Sequence, residues 1–219
     1  MFQGFTAQTL DFLWGIRFHN ERTWFLEHKS DYQTQLLQPM TELMTQILPE
    51  LQRSCPTVEL RGKVSRIYRD ARRLHGRGPY KDHLWFTIGE TGRDEAHRPL
   101  FFFELTPDGW SYGLGFWCAT PRTMEELRRR IDEEPKEITR LTRSLQKQST
   151  FVLCGEEYAR PKGTATPLLA AWYNRKNLSL CCTRKNDSPL LFSPSLADDV
   201  LEGFQFLLPT WHFLRNLPN

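Results

Sequence analysis

Between Trp24 and Leu51 a large side chain returns every three or four positions, through His28, Tyr32, Leu36, Met40, Leu43 and Ile47. Between Leu84 and Phe116 it returns every second position. The first spacing lines one face of a helix and the second lines one face of a sheet. Helical periodicity comes back after Pro121 and again after Ser193. A chain that groups its strands in the middle and its helices at the ends is predicted to be α+β.

The details follow from local chemistry. Thr6 is placed to cap a short helix running to Phe18, with Leu10, Leu13, Trp14 and Phe18 on its apolar side. Asn20 reads as the N-cap of the long helix, and Pro39 predicts a kink or split near Gln38. Val64–Asp70, "HLWFTIG", "PLFFFEL" and "WSYGLGFWC" read as consecutive antiparallel strands, the last two joined by the turn Thr106–Gly109. In the fourth, Ser111, Gly113 and Gly115 make a small face that predicts close approach of another element. Thr123 and Glu126 look like a capping box, followed by the stripe Met124, Leu127 and Ile131. Pro135 predicts a further segment carrying Ile138, Leu141 and Leu145. "FVLC" and "LSLCCT" are short strands, and a terminal helix is predicted with Leu196, Val200, Leu201, Phe204 and Leu208 inward and Pro209 ending it. The expected architecture is one α+β domain over residues 1–219: helical over 1–55, strand-rich over 58–118, helix–strand–helix over 120–219. Its antiparallel, meander-rich sheet is covered by N-terminal and C-terminal helices.

Bulk chemistry removes several function classes. The 219 residues are 39% hydrophobic and 25% charged, an ordinary globular balance. A net charge of +3 is too small for a surface that coats nucleic acid. Five cysteines without a CxxC suggest neither a disulfide framework nor a zinc knuckle. Reduced thiols and an N-terminus without the pattern of a signal peptide predict a cytoplasmic protein. No apolar run is long enough to span a membrane.

The charge is unevenly spread. From Arg61 to His83 there are eight Lys or Arg and two acids, whereas the rest of the chain carries 21 basic and 24 acidic residues. On a strand, Arg66, Tyr68 and Asp70 share one face and Ile67 and Arg69 the other. "LHGRGPY" supplies a sharp connection, after which Lys81, His83 and Trp85 share a face. An antiparallel pair would then bring Arg66 or Arg69 beside Lys81. Guanidinium binds phosphate or carboxylate in a planar, two-pronged fashion and lysine acts as a point charge. The functional reading is therefore an anion site: Arg66, Arg69 and Lys81 hold a small, phosphorylated molecule, and Tyr68 or Tyr80 packs on it. Asp70 orients an arginine or accepts a proton, and His28 supplies one. The residues name no cofactor and leave open whether catalysis follows binding. The rival reading is a non-enzymatic interaction or structural protein whose cations only satisfy internal acids such as Glu21, Glu27 or Asp31. Nucleic-acid binding is a third reading, on a thin basic footprint. His28 and Asp31 stand three apart on a helix, but without paired histidine spacing they predict no metal site. "RPKG" (Arg160–Gly163) is a second small basic turn, read either as a solvated loop or as a flap over the same anion.

Four segments together resemble the domain-of-unknown-function 2461 family, a conserved hypothetical bacterial and fungal family. "NERTWFLEHKSDY" is similar to its Arg-acid-Trp-Phe-x-x-His-Lys-x-x-Tyr helix start, and "RIYRDAR" to its Arg-Ile-x-Arg-Asp-x-Arg strand. "PYKDH" is similar to its Pro-Tyr-Lys segment and "RPKG" to its later Pro-Lys-Gly turn. The resemblance implies an α+β fold and no established activity. It puts Trp24, His28, Lys29, Arg66, Arg69, Asp70, Tyr80 and Lys81 at motif positions, so that Trp24 and Lys29 join the candidate ligand-binding residues. The chain departs from the family in two places. "RLHGRG" stands where the family has Phe-Ser-x-Asp-Lys, and Thr23 stands where it has an acid.

Overall fold

A computed structural model describes residues 1–70, 72, 74, 76–92 and 95–218. Ala71, Arg73 and His75, which belong to the basic stretch and its predicted connection, lie outside the described residues. Among the described residues the fold is α+β, with a six-stranded antiparallel sheet and helices at both ends of the chain.

Thr6 caps α1 (Ala7–Phe18) as its chemistry requires, accepting from the Thr9 N–H while the Thr9 hydroxyl accepts from the Thr6 N–H. The predicted apolar side is off by one step around the helix. Thr9, Phe12, Leu13 and Ile16 are buried, whereas Trp14 and Phe18 are 38% and 72% exposed and stack on each other. Two overlapping stripes were available, and tertiary packing chose the one that carries Ile16.

Asn20 does not cap α2 (Arg22–Glu27); that position is Glu21, with no side-chain bond. The Asn20 amide instead donates to the Ile16 and Tyr80 carbonyls and accepts from the Tyr80 N–H. Nor does Pro39 break the helix. After a short turn at Lys29–Asp31 the backbone widens to a π-helix over Tyr32–Leu37, and the Gln38 N–H bonds the Gln33 carbonyl. Pro39 then falls in the first turn of α3 (Gln38–Ser54), where its missing N–H costs little. Leu36, Met40, Leu43, Ile47 and Leu51 form the buried stripe.

The sheet runs β1 (Leu60–Val64), β2 (Leu84–Glu90), β3 (Pro99–Leu105), β4 (Gly109–Phe116), then β6 (Ser179–Lys185) and β5 (Val152–Cys154) at the far edge. The first four form the expected meander. The predicted strand Val64–Asp70 is only partly one: β1 ends at Val64, and pairing resumes as an isolated bridge, Tyr68 with Tyr80. In β2 the alternation holds, with Leu84, Phe86 and Ile88 buried. In β4 the small residues answer the close backbone of β6. A Cβ on Gly113 would overlap the Leu180 carbonyl oxygen, and one on Gly115 would crowd Ser179.

Thr120, not Thr123, caps α4 (Pro121–Glu133), and Thr123 is the residue whose N–H it satisfies. Next come α5 (Lys136–Gln146), the short α6 (Ala170–Tyr173) and the terminal α7 (Leu196–Arg215). Pro209 lies inside α7 rather than ending it. A proline in a helix interior costs about 3 kcal/mol. Beyond it, still in the helix, Trp211, Phe213 and Leu214 are buried, each worth roughly 1.5–3 kcal/mol, so continuing the helix wins. Leu207 takes the inward place predicted for Leu208.

Cα packing divides the chain into two compact units. The first comprises Met1–Ile88, Phe102–Ser111 and Thr183–Glu202, the second Gly89–Phe101, Tyr112–Cys182 and Gly203–Asn219. The core of the first holds Phe2, Phe5, Phe86, Phe103 and Trp110 in successive ring contacts. That of the second holds Phe101, Tyr112, Phe151, Phe204 and Trp211.

Candidate functional site

The basic stretch lies wholly in the first unit. After β1 the chain bends at Ile67, and Lys81 N–H bonds the Ile67 carbonyl while Arg69 N–H bonds the Pro79 carbonyl. This pairing sets the alternation expected of residues 66–70: Ile67 is buried, Arg66, Tyr68 and Asp70 are exposed, and Arg69 turns inward.

Three cations meet here. The Lys81 ammonium donates to the Arg66 carbonyl and sits 4.4 Å from the centre of the Trp85 ring. Burial, then the nearby positive charges of Arg66 and Arg69, push its pKa down. Among the described residues neither Lys81 nor Arg66 has a carboxylate within ion-pair distance. Burial, then Tyr68, raise the Tyr80 pKa, and Arg22, exposed at the start of α2, opposes that rise as a fourth cation nearby.

Arg69 is differently placed. Its Nε donates to the Tyr80 carbonyl at 2.7 Å and its Nη2 lies 3.5 Å from Asp82. Asp82 also receives Arg17 Nε at 2.7 Å and His83 Nδ1 at 3.1 Å. Burial alone would raise the Asp82 pKa, but the bonds from Arg17 and His83 outweigh it and hold the carboxyl below its usual range. Arg17 extends the network to Asp108 at 2.7 Å. Arg69 thus uses Asp82, and Arg17 uses Asp82 and Asp108; among the described residues neither pairs with Glu21, Glu27 or Asp31. Asp70 orients an arginine, but it is Arg72, gripped at 3.0 and 2.9 Å by the two carboxylate oxygens.

Beside the cations lies a run of rings. Phe25 stacks on Tyr80 at 4.2 Å and meets Tyr68 edge-on at 5.8 Å, and Tyr68 and Tyr80 are 5.4 Å apart. Tyr32 joins Phe25 at 5.6 Å. Burial, then the neighbouring Tyr68, push the Tyr32 phenol up to about 12, against a hydrogen bond from the Ile67 backbone. Tyr68 is 54% exposed and is the ring of this group open to solvent.

Trp24 and His28 lie farther along the same run. Trp24 is 5.7 Å from Phe12, which reaches Tyr32 at 5.9 Å. His28 stacks on Trp24 at 4.0 Å, and its Nδ1 is 2.9 Å from the Trp24 carbonyl at the end of α2. As the donor in that bond, Nδ1 leaves Nε2 as the acceptor. Lys29 is exposed on the turn that follows. The structure thus brings together Arg66, Arg69, Lys81, Tyr68 and Tyr80. Trp24 and His28 pack against α1, and Lys29 makes no described contact with the cluster.

Sequence reasoning missed Arg17, Arg22, Tyr32 and Asp82 as members. Tyr32 carried the helical period and read as core, whereas Arg17 reaches Asp82 from 65 residues away, a contact no local pattern encodes. A groove of about 670 Å3 along the π stretch and α3 is lined by Met1, Gln33, Leu37, Gln38, Thr41 and Glu42, none of them a predicted site residue. No helix is long and apolar enough to cross a membrane among the described residues. "RPKG" belongs to the second unit, where the Lys162 N–H bonds Asn174 Oδ1 and Gly163 abuts Tyr173.

Residues 8–213 match the family described as "Conserved hypothetical protein (DUF2461)". No curated protein matches the chain.

Proposed function

The chain belongs to the DUF2461 family of conserved hypothetical proteins, a membership that assigns no chemistry, and we propose that it binds a small anionic molecule at its basic strand pair. Arg66 and Lys81 hold the anion, with Arg22 at the edge and the exposed Tyr68 ring packing against the rest of the ligand. Arg69 is a positioning residue, fixing the Tyr80 carbonyl and the strand that carries Lys81. The observation that carries this reading is the half-buried Lys81 ammonium, bonded to the Arg66 carbonyl and crowded by Arg66 and Arg69, which among the described residues has no carboxylate within ion-pair distance. A bound phosphate relieves that crowding, and each charge-assisted hydrogen bond contributes about 1.5–3 kcal/mol.

Thermal unfolding with inorganic phosphate, nucleotides and acidic metabolites tests it. A ligand at 100 times its dissociation constant stabilises by about 2.7 kcal/mol. Lys81→Met and Arg66→Gln are expected to abolish the shift while leaving the unliganded protein folded. No shift with any anion refutes the proposal.

A second reading, that the basic cluster is an internal ion-pair network, is favoured for Arg69 alone by its contact with Asp82. If the whole cluster served that end, Arg66→Gln would destabilise as much as Arg69→Ala. Nucleic-acid binding would instead show affinity that falls steeply with salt. Catalysis, with Asp70 or His28 as proton carrier, requires turnover of whichever anion binds.

A further inference from the structure

The second unit holds a separate gathering of cations that the basic strand pair does not use. Glu157 bridges to Arg175 in antiparallel fashion, Tyr158 N–H bonds the Asn174 carbonyl, and Lys176 N–H bonds the Glu156 carbonyl. The "RPKG" turn follows, held by the Lys162 N–H on Asn174 Oδ1. These backbone bonds set Tyr158 between two lysine-bearing segments, and α4 adds Arg128. One ring then has three cations around it: Lys162 Nζ at 4.7 Å, the Arg128 guanidinium at 5.7 Å and Lys176 Nζ at 5.9 Å from its centre.

Local acids neutralise this group only at Lys176. Glu157 is engaged by Arg175 at 3.3 Å and Asp132 by the Tyr173 hydroxyl at 2.9 Å. Lys176 has a long contact of 3.8 Å with the exposed Glu156. Arg128 and Lys162 have no carboxylate within ion-pair distance among the described residues. Arg128 Nη1 is buried and has no hydrogen-bond acceptor. A ring face attracts cations, but that attraction does not satisfy a buried N–H.

We propose that Arg128, Lys162 and Lys176, arrayed around Tyr158, form a second anion site that takes a phosphate group. Three separate donors match the several oxygens of a phosphoryl group better than the two of a carboxylate. Arg128 presents its planar fork and the lysines supply point charges from the two flanking segments. Free phosphate and the phosphate of a monoester share this chemistry.

The test is amide chemical-shift mapping with inorganic phosphate, in an Arg66→Gln background so that the first site does not contribute. Saturable shifts at residues 158–163 and 174–176 are expected. Arg128→Gln and Lys162→Gln should each weaken the apparent affinity by about tenfold or more, the loss of one charge-assisted bond. Lys162 is exposed, so its variant keeps the fold even if the Arg128 variant does not. Repeating the titration with a phosphate monoester separates the sources: equal affinity means that the phosphate group alone is read, and tighter binding means that the site reaches the esterified part. Absence of saturable shifts at these residues, or shifts unchanged by Lys162→Gln, overturns the proposal.

Discussion

Asp82 is a single carboxylate serving two arginines and a histidine, and its neighbours in sequence gave no hint of it. Replacing it with asparagine leaves Arg17 and Arg69 without their shared acceptor. Asp82, Arg17, Arg69 and His83 are each 20–30% exposed, so the cost is that of charged hydrogen bonds softened by water, about 2–3 kcal/mol in urea unfolding. Arg69→Ala should cost about 1.5–3 kcal/mol for the same reason, whereas Arg66→Ala should change stability by less than about 0.5 kcal/mol, as an exposed side chain does. If both arginine variants are equally destabilised, the division of labour drawn between them is wrong. Lys81 gives a complementary check. Burial, then crowding by Arg66 and Arg69, lowers its pKa; a bound anion offsets that positive charge and should raise it, and titration of the lysine side chain by NMR with and without phosphate reads that rise directly.

At the scale of elements, periodicity carried most of the information. The stripe from Leu36 to Leu51, the alternation of β2 and the small face of β4 all lie where spacing put them. The errors share a cause. Trp14 and Phe18 continue a helical stripe as regularly as Phe12 and Ile16 do, and spacing cannot say which stripe meets the rest of the protein. Pro209 is a local breaker overruled by burial on both sides of it, and Pro39 is absorbed where the π stretch gives way to the first turn of α3. Asp82 and Arg17 had no local signature, because a charge reveals its partner only when the fold joins them. Two substitutions probe the elements themselves. Gly113→Ala drives a methyl into the Leu180 carbonyl, between backbones that cannot part without breaking the β4–β6 ladder, and should cost about 3 kcal/mol or more. Thr120→Ala removes the cap of α4 and should cost about 1 kcal/mol. Both are read from denaturant midpoints at constant slope.

For the whole molecule the prediction is a pH profile. The folded-state pKa values of Asp82 and Glu90 are depressed; in each, burial is outweighed by bonded arginines, Arg17 for the first and Arg215 with Arg98 for the second. A carboxyl whose pKa falls on folding contributes stability that is fully present above its unfolded value and is lost as pH falls through the folded one. Unfolding free energy should therefore decline below about pH 4, beneath a shallower loss just below neutrality from His212, whose pKa burial lowers, and Asp82→Asn with Glu90→Gln should flatten the acid decline. Glu126, held at about 2 by bonds from Arg129 and Arg130, is half-buried and extends that decline toward lower pH.

Asn20 joins the end of α1 to the strand that bears Lys81, giving to two carbonyls and taking from one N–H, and Gly78 is bare because any methyl there would strike it. Only a primary amide can do both at that spot. Spontaneous hydrolysis of that amide, a common chemical ageing of asparagine, would set a negative oxygen against the Ile16 and Tyr80 carbonyls. An old preparation, or Asn20→Asp made on purpose, should release the Tyr80 backbone to faster hydrogen exchange, and unchanged exchange there would mean the clasp is idle.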